Sequence, residues 1–338
     1  MAENKRTTNK QIFEKLENLK MTDTILVTPT PTTIETKSHI PGITGTALDF
    51  DIKEFDVYLG EELGHNAGPC KDKKGIAKLD DDNNVTDWWI VGDGYKAKSH
   101  KDYYNAIEHQ LVNNIDPNHL AGCEVTTKSS RNGKWGLRNY VFPNVGVPIE
   151  TRTGFKTQVS LRIVAWSGLD GSCANNYILG AFDGFCTNGM IFTQAANRDE
   201  AVSRLYKRNS KNFNLNSFAE TLMSSTEVFY KQAEQIQIMA DTNLSVDNGM
   251  DFIESIKSFS KAKKAAMQDL FINEVVTRGT NVFALHSALT NYSSHMNANH
   301  FRTRTTKHED SESEILFKRE IEISDVLNSN QWNELLAA

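Results

Sequence analysis

The 338-residue sequence predicts an α+β protein: an antiparallel sheet built from hairpins in the first half, followed by a helical second half. Two observations carry this. Between residues 87 and 192, runs of alternating apolar and polar residues are separated by turn dipeptides. After about residue 215 the apolar residues instead recur every three to four positions, as on an amphipathic helix. No repeat at a 20 to 50 residue period interrupts this order.

Residues 1–25 hold a short amphipathic pattern (Ile12, Phe13, Leu16, Leu19) that suits a docking helix. The following "TPTPTTIETKSHIPG" is rich in Thr and Pro and reads as an extended linker, so residues 1–45 form an arm. A strand-rich core spans 46–197. In it, "DWWIVGDGYKAKS" reads as a hairpin turning at Asp93-Gly94. "SHKDYYNAIEHQLVNNI" reads as a helix capped by Ser99, with Tyr103 or Tyr104, Ile107, Leu111 and Ile115 on its apolar face. "CEVTTKSSRNGKWGLRNYVF" is a second hairpin turning at Asn132-Gly133, "KTQVSLRIVAW" a clear strand, and residues 175–192 a further strand pair.

The helical region, 198–300, opens with a basic connector and continues with Phe218, Leu222, Phe229, Ala233, Ile236 and Ala240 along one helix face. "DFIESIKSFS", "AKKAAMQDLFINEVV" and "NVFALHSALTNYSSHM" read as further helices. Residues 301–338 read as a solvated tail ending in a short closing helix, "VLNSNQWNELLA".

Composition excludes several classes. No run of about 18 apolar residues is present, and the N-terminus has no apolar signal region, so the sequence predicts no membrane span and shows no secretory signal. Cys70, Cys123, Cys173 and Cys186 form no CxxC pair and read as reduced thiols. No HExxH, phosphate-binding loop, GxGxxG or GxSxG occurs, so no metal, cofactor or nucleotide-driven chemistry is expected.

Charge supplies the functional hint. Seven of the 37 Lys/Arg but one of the 43 Asp/Glu fall within 128–162, a +6 island in a chain of formal net charge -6. The period-2 rule sends Lys134, Arg138 and Tyr140 to one side of their strand, with Trp135, Leu137 and Val141 to the core. In the next strand it separates Lys156, Gln158, Ser160 and Arg162 from Val159, Leu161, Ile163 and Ala165. Cations beside an accessible ring suit single-stranded nucleic acid. Lys134, Arg138, Lys156 and Arg162 would neutralise phosphates, with Lys128, Arg131 and Arg152 alongside and Tyr140 stacking on a base. The bland alternative is a solvated face whose cations meet acids elsewhere in the fold, for example "LDDDNN".

Other constellations have plainer readings. Cys186 closes an apolar strand, and Asn188-Gly189 supplies its turn; a cysteine nucleophile based on His286 or His295 is the weaker alternative. Asp170-Gly171-Ser172 reads as a hairpin turn in which Asp bonds its own backbone. "DDDNN" lacks the glycine and distal Glu of a calcium loop. Lys257, Lys261, Lys263 and Lys264 read as a solvated helix face.

"WSGLDGSCANNYILGAFDGFCTNGMIF" resembles the core signature of the phage/plasmid-like protein family, catalogued as a domain of unknown function. The signature has Asp170-Gly171-Ser172 in a small-residue run and a strand ending in Cys186-Thr187-Asn188-Gly189. Ser287-Ala288-Leu289-Thr290-Asn291-Tyr292, with His295 following, is similar to that family's later helix. The resemblance spans roughly 85–300 and implies a gene carried by phages or plasmids and a protein of the host cytoplasm. By architecture alone, strands followed by helices look like single-strand annealing recombination proteins. The expectation is therefore a non-enzymatic, homo-oligomeric protein that binds single-stranded DNA, with annealing as its extension. The rival is a structural or regulatory protein whose basic face meets an acidic protein partner.

Overall fold

A computed structural model describes residues 40–60, 68–186, 188–191, 204–207, 225–295 and 312–337. The amphipathic pattern at 12–19, most of the Thr/Pro-rich segment and the connector cations other than Arg204 and Lys207 lie outside these residues.

Two antiparallel sheets occupy the first half of the chain and most of the helices follow them, so the α+β class holds. The smaller has the order β1 (Asp51–Leu59), β2 (Gly68–Leu79), β3 (Val85–Gly92). Its β2–β3 turn is closed by Asp80, whose Oδ1 accepts from the backbone of Asp82 and Asn84 at 3.0 and 2.7 Å. Asp93-Gly94 ends β3 but starts no second strand, correcting the hairpin expected at 87–99. Side-chain bonds pull this stretch onto the other sheet instead: Trp89 Nε1 donates to the Leu169 carbonyl (2.7 Å) and Tyr95 Oη to that of Gly168 (2.9 Å).

The larger sheet runs β4 (Glu124–Ser130), β5 (Trp135–Glu150), β6 (Lys156–Gly168), β7 (Asn175–Asp183), β8 (Asn188–Ile191), with β9 (Arg204–Lys207) also on β7. The β4–β5 hairpin turns at Arg131-Asn132-Gly133, all three at positive φ. Pro143, Asn144 and Val145 bulge out of β5, since Phe142 pairs with Leu161 and Gly146 with Ser160.

Helices cover both faces of this sheet. On one side lies α1 (His100–Asn114), whose first turn is capped by Ser99 accepting from the Asp102 N–H at 3.0 Å. A four-residue turn, α2 (Pro117–Leu120), follows. Tyr103, Tyr104, Ile107 and Leu111 of α1 join Tyr140, Phe142, Leu161, Ile163 and Ala165 in the main core. That core continues into α3 (Ser225–Asp241), α4 (Val246–Ser255), α5 (Lys261–Arg278) and α6 (Val282–His295).

On the other side lies α7 (Glu312–Leu327), with α8 (Asn330–Ala337) after it. Phe317 of α7 stacks on Trp166 with ring centroids 4.3 Å apart and planes 3° from parallel. Trp135, Val164 and Ile178 complete that second core. The tail expected to be solvated is thus, from Glu312 onward, a packed helix; Glu314 is buried and so is Trp332 of α8.

Candidate nucleic-acid interface

Register decides whether the predicted cations share a face. Residues directly opposite in an antiparallel pair project to the same side. Arg138 pairs with Ala165 and Tyr140 with Ile163, whereas Arg162 pairs with Val141 and Leu137 with Trp166. Arg138 and Tyr140 therefore point into the main core under α1, and Arg162 points to the opposite side under α7. One continuous basic patch on β5 and β6 does not exist.

The individual environments follow. Arg138 is 1 % exposed; it forms an ion pair with Glu108 and donates to the Pro41 carbonyl at 2.6 Å. Tyr140 is 0 % exposed and its hydroxyl donates to Glu108 at 2.8 Å, so the ring is unavailable for stacking on a base. Burial pushes the Glu108 carboxyl up, and the neighbouring Arg138 opposes that shift. Arg162 gives Nε to Asn139 and Nη2 to Glu320, both at 2.7 Å.

At the β4–β5 turn, Arg131 grips Glu314 with two bonds of 3.0 Å, lies over the Trp135 ring, and reaches Asp170 at 3.4 Å. Burial raises the Glu314 pKa, but bonds from Arg131 and Lys318 outweigh it and hold the carboxyl below its ordinary value. Lys134 pairs with Asp87 at 3.0 Å. The far end of the sheet, about 40 Å away for twelve extended residues, holds exposed Arg152 and the exposed Lys156–Glu150 pair at 3.1 Å. Only Lys128 and Arg152 of the predicted set are exposed without a carboxylate partner among the described residues. The neutralising acids are Asp87, Glu108, Glu150, Asp170, Glu314 and Glu320, not those of "LDDDNN".

The combination expected of β5 and β6 is found on the small sheet. Its inner face (Ile52, Ile76, Trp89, Val91) packs on Leu169. Opposed pairs Lys53–Ala77, Phe55–Gly75, Gly75–Ile90, Ala77–Trp88 and Lys73–Gly92 define the outward face. There Phe55 is 39 %, Trp88 58 % and Ile90 47 % exposed. A Cβ at position 75 would fall inside the Phe55 ring, so Gly75 lets that ring lie flat across the sheet. Lys53 and Lys73, with Lys71 beside them, are exposed and form no salt bridge among the described residues, although Lys73 adjoins Asp72. The acids Glu54, Asp56 and Asp87 fall on the inward side by the same register, while exposed Asp51 lies on the outward face at the start of β1. The sequence reading missed this face because β1 and β2 were not recognised; the alternation in "DIKEFDVYL" was the available signal.

The signature segments meet each other in space. Asp170 Oδ1 accepts from the Ser172 N–H (3.0 Å) and from Trp135 Nε1 (3.1 Å), fixing the Asp170-Gly171-Ser172 turn. Asn188 Nδ2 donates to the Ser287 carbonyl (3.4 Å), Gly189 N–H to Ser294 Oγ (2.9 Å), and His295 Nε2 lies 3.0 Å from the Cys186 carbonyl. Beneath them Arg278, fully buried, bridges Asp183 and Glu274. Cys186 Sγ lies 3.3 Å from that guanidinium, yet burial pushes the thiol pKa up. A thiol held protonated at neutral pH is the opposite of what a nucleophile needs.

The family profile described as a Domain of unknown function (DUF932) matches residues 100–317, more than half of the chain. The chain belongs to this family. The match covers the large sheet and the helices as far as Phe317, and leaves the small sheet outside it. No curated protein matches, and no solved structure matches. Among the described residues no helix is long and apolar enough to cross a membrane, and no group of His, Cys, Asp and Glu is placed to hold a metal ion.

Proposed function

We propose that this DUF932 protein binds single-stranded DNA through the outward face of β1–β3, without catalysing a reaction on it. The observation that supports the reading is the coincidence of exposed Phe55 and Trp88 with Lys53, Lys71 and Lys73, none of which forms a salt bridge among the described residues. Unstacked bases need rings and their phosphates need cations; an open sheet presents both. The strand tracks the small sheet, while the large sheet and helices act as its rigid support. Origin in a phage or plasmid, action in the host cytoplasm, homo-oligomerisation and strand annealing extend the same reading.

A titration of a fluorescent oligo-dT with the full chain tests it. Anisotropy should rise at low salt with micromolar protein. The log–log salt slope should be about -2 for three phosphates, at roughly 0.7 each. Loss of one stacking ring in W88A should weaken binding by about 1–3 kcal/mol. No rise at low salt, or a W88A titration that overlays wild type, refutes the proposal.

A second reading has its own support. Tyr58 and Leu59 at the end of β1 and Val85 at the start of β3 add exposed apolar side chains at the sheet margins. A protein partner would bury them, and that reading predicts association that is insensitive to salt.

A further inference from the structure

Between the large sheet and α7 lies a cleft of about 190 Å³. Its floor is the sheet side that carries Lys128, Leu137, Arg162 and Phe182; its roof is α7, with Phe317 and Glu320. Ser294 of α6 closes one end. At less than the roughly 300 Å³ of sites that enclose a whole drug-sized ligand, it has room for a single heterocycle with the rest of the molecule in solvent.

Three observations define what fits. Lys128 is exposed at this cleft and has no carboxylate partner among the described residues, so an anionic group is attracted there. Phe182, Leu137 and Phe317 supply apolar and aromatic walls. Glu320 is buried; one carboxylate oxygen takes the Arg162 guanidinium at 2.7 Å, while Oε2 has no hydrogen-bond partner. Such an oxygen calls for an N–H donor. Arg162 cannot turn to supply a second bond, because Asn139 holds its Nε and Gly189 packs against its guanidinium. A Cβ at position 189 would collide with that group.

We propose that this cleft binds a nucleotide whose base carries an exocyclic amino group. The amino N–H meets Glu320, the ring lies between Phe182 and Phe317, and the phosphate reaches Lys128. Carboxylates read the amino group of cytosine in this manner, and flipped bases are held by the same pairing of edge bonds and aromatic walls. The site is on a different sheet from the open face described above and does not depend on it.

Calorimetric titration of the full chain with dAMP, dCMP, dTMP and inorganic phosphate tests the proposal. The amino-bearing nucleotides should bind at least tenfold more tightly than dTMP, and inorganic phosphate more weakly still. K128A should weaken dAMP about tenfold without moving the unliganded Tm, since its side chain is exposed and unpaired. In E320Q the free acceptor becomes an amide donor, so the preference should shift toward dTMP. K53E/K73E should leave dAMP binding unchanged, which separates failure here from failure of the open-face reading. Displacement of dAMP by an oligo-dA would assign the site to a nucleotide within a strand, and its absence to a free nucleotide. No heat with any nucleotide up to about 5 mM, equal affinity for dTMP and dAMP, or an unaltered K128A titration overturns it.

Discussion

Glu108 shows how a residue-scale reading can be right about chemistry and wrong about place. It sits between Arg138 and Tyr140 and satisfies both from one oxygen. Removing one member of a buried pair strands the other, so E108A should lose about 3–5 kcal/mol in urea denaturation. The double replacement E108L/R138M should recover most of that loss. His100 gives a pH signature. It is fully buried, its Nε2 lies 2.7 Å from the Gly133 carbonyl, and burial holds its pKa at about 4 against an ordinary 6.5. The folded chain therefore binds fewer protons than the unfolded chain between these values. Stability should be full above pH 6.5 and fall as pH drops toward 4, by up to about 3 kcal/mol. H100Q should flatten that decline. None of these partnerships was legible locally: alternation along β5 gives the parity of Arg138 but not which side water occupies.

At the scale of elements, the legible ones were those whose signals are local. The Ser99 cap with its 3.6-residue period, the Asn132-Gly133 hairpin and helices α5 and α6 appear close to their expected bounds, whereas the helix read at 251–260 lies at Val246–Ser255. The misread ones depend on distant chain. Asp93-Gly94 is a genuine turn, but the segment after it is drawn toward Gly168 by Tyr95 rather than pairing with β3. The stretch after Glu312 is polar enough to look solvated, yet α7 spends its acids on Arg131, Arg162 and Lys263 and its one Phe on Trp166. This helix covers Arg131 and Arg162, as α1 covers Arg138 and Tyr140, where nucleic acid was expected. Truncation of its anchor in F317A should cost about 3–5 kcal/mol, measured by thermal or urea unfolding. An unchanged midpoint would mean that α7 is not packed as described.

At the scale of the whole molecule, the +6 island in a chain of net charge -6 is mostly an internal electrostatic scaffold. It joins the large sheet to α1 on one side and to α7 on the other through ion pairs. The fold class followed from periodicity, because burial on one face is written into each strand and helix. The open surface did not follow, because openness depends on which faces the distant helices leave uncovered. Among the described residues, they leave the outward side of β1–β3 uncovered. The most direct test compares charge reversals on the two sheets in one assay, the anisotropy of a labelled oligo-dT at low salt. K53E/K73E on the small sheet should abolish binding, whereas R152E/K156E on the large sheet should retain it within about twofold. Binding that survives the first pair and is lost with the second would contradict this account.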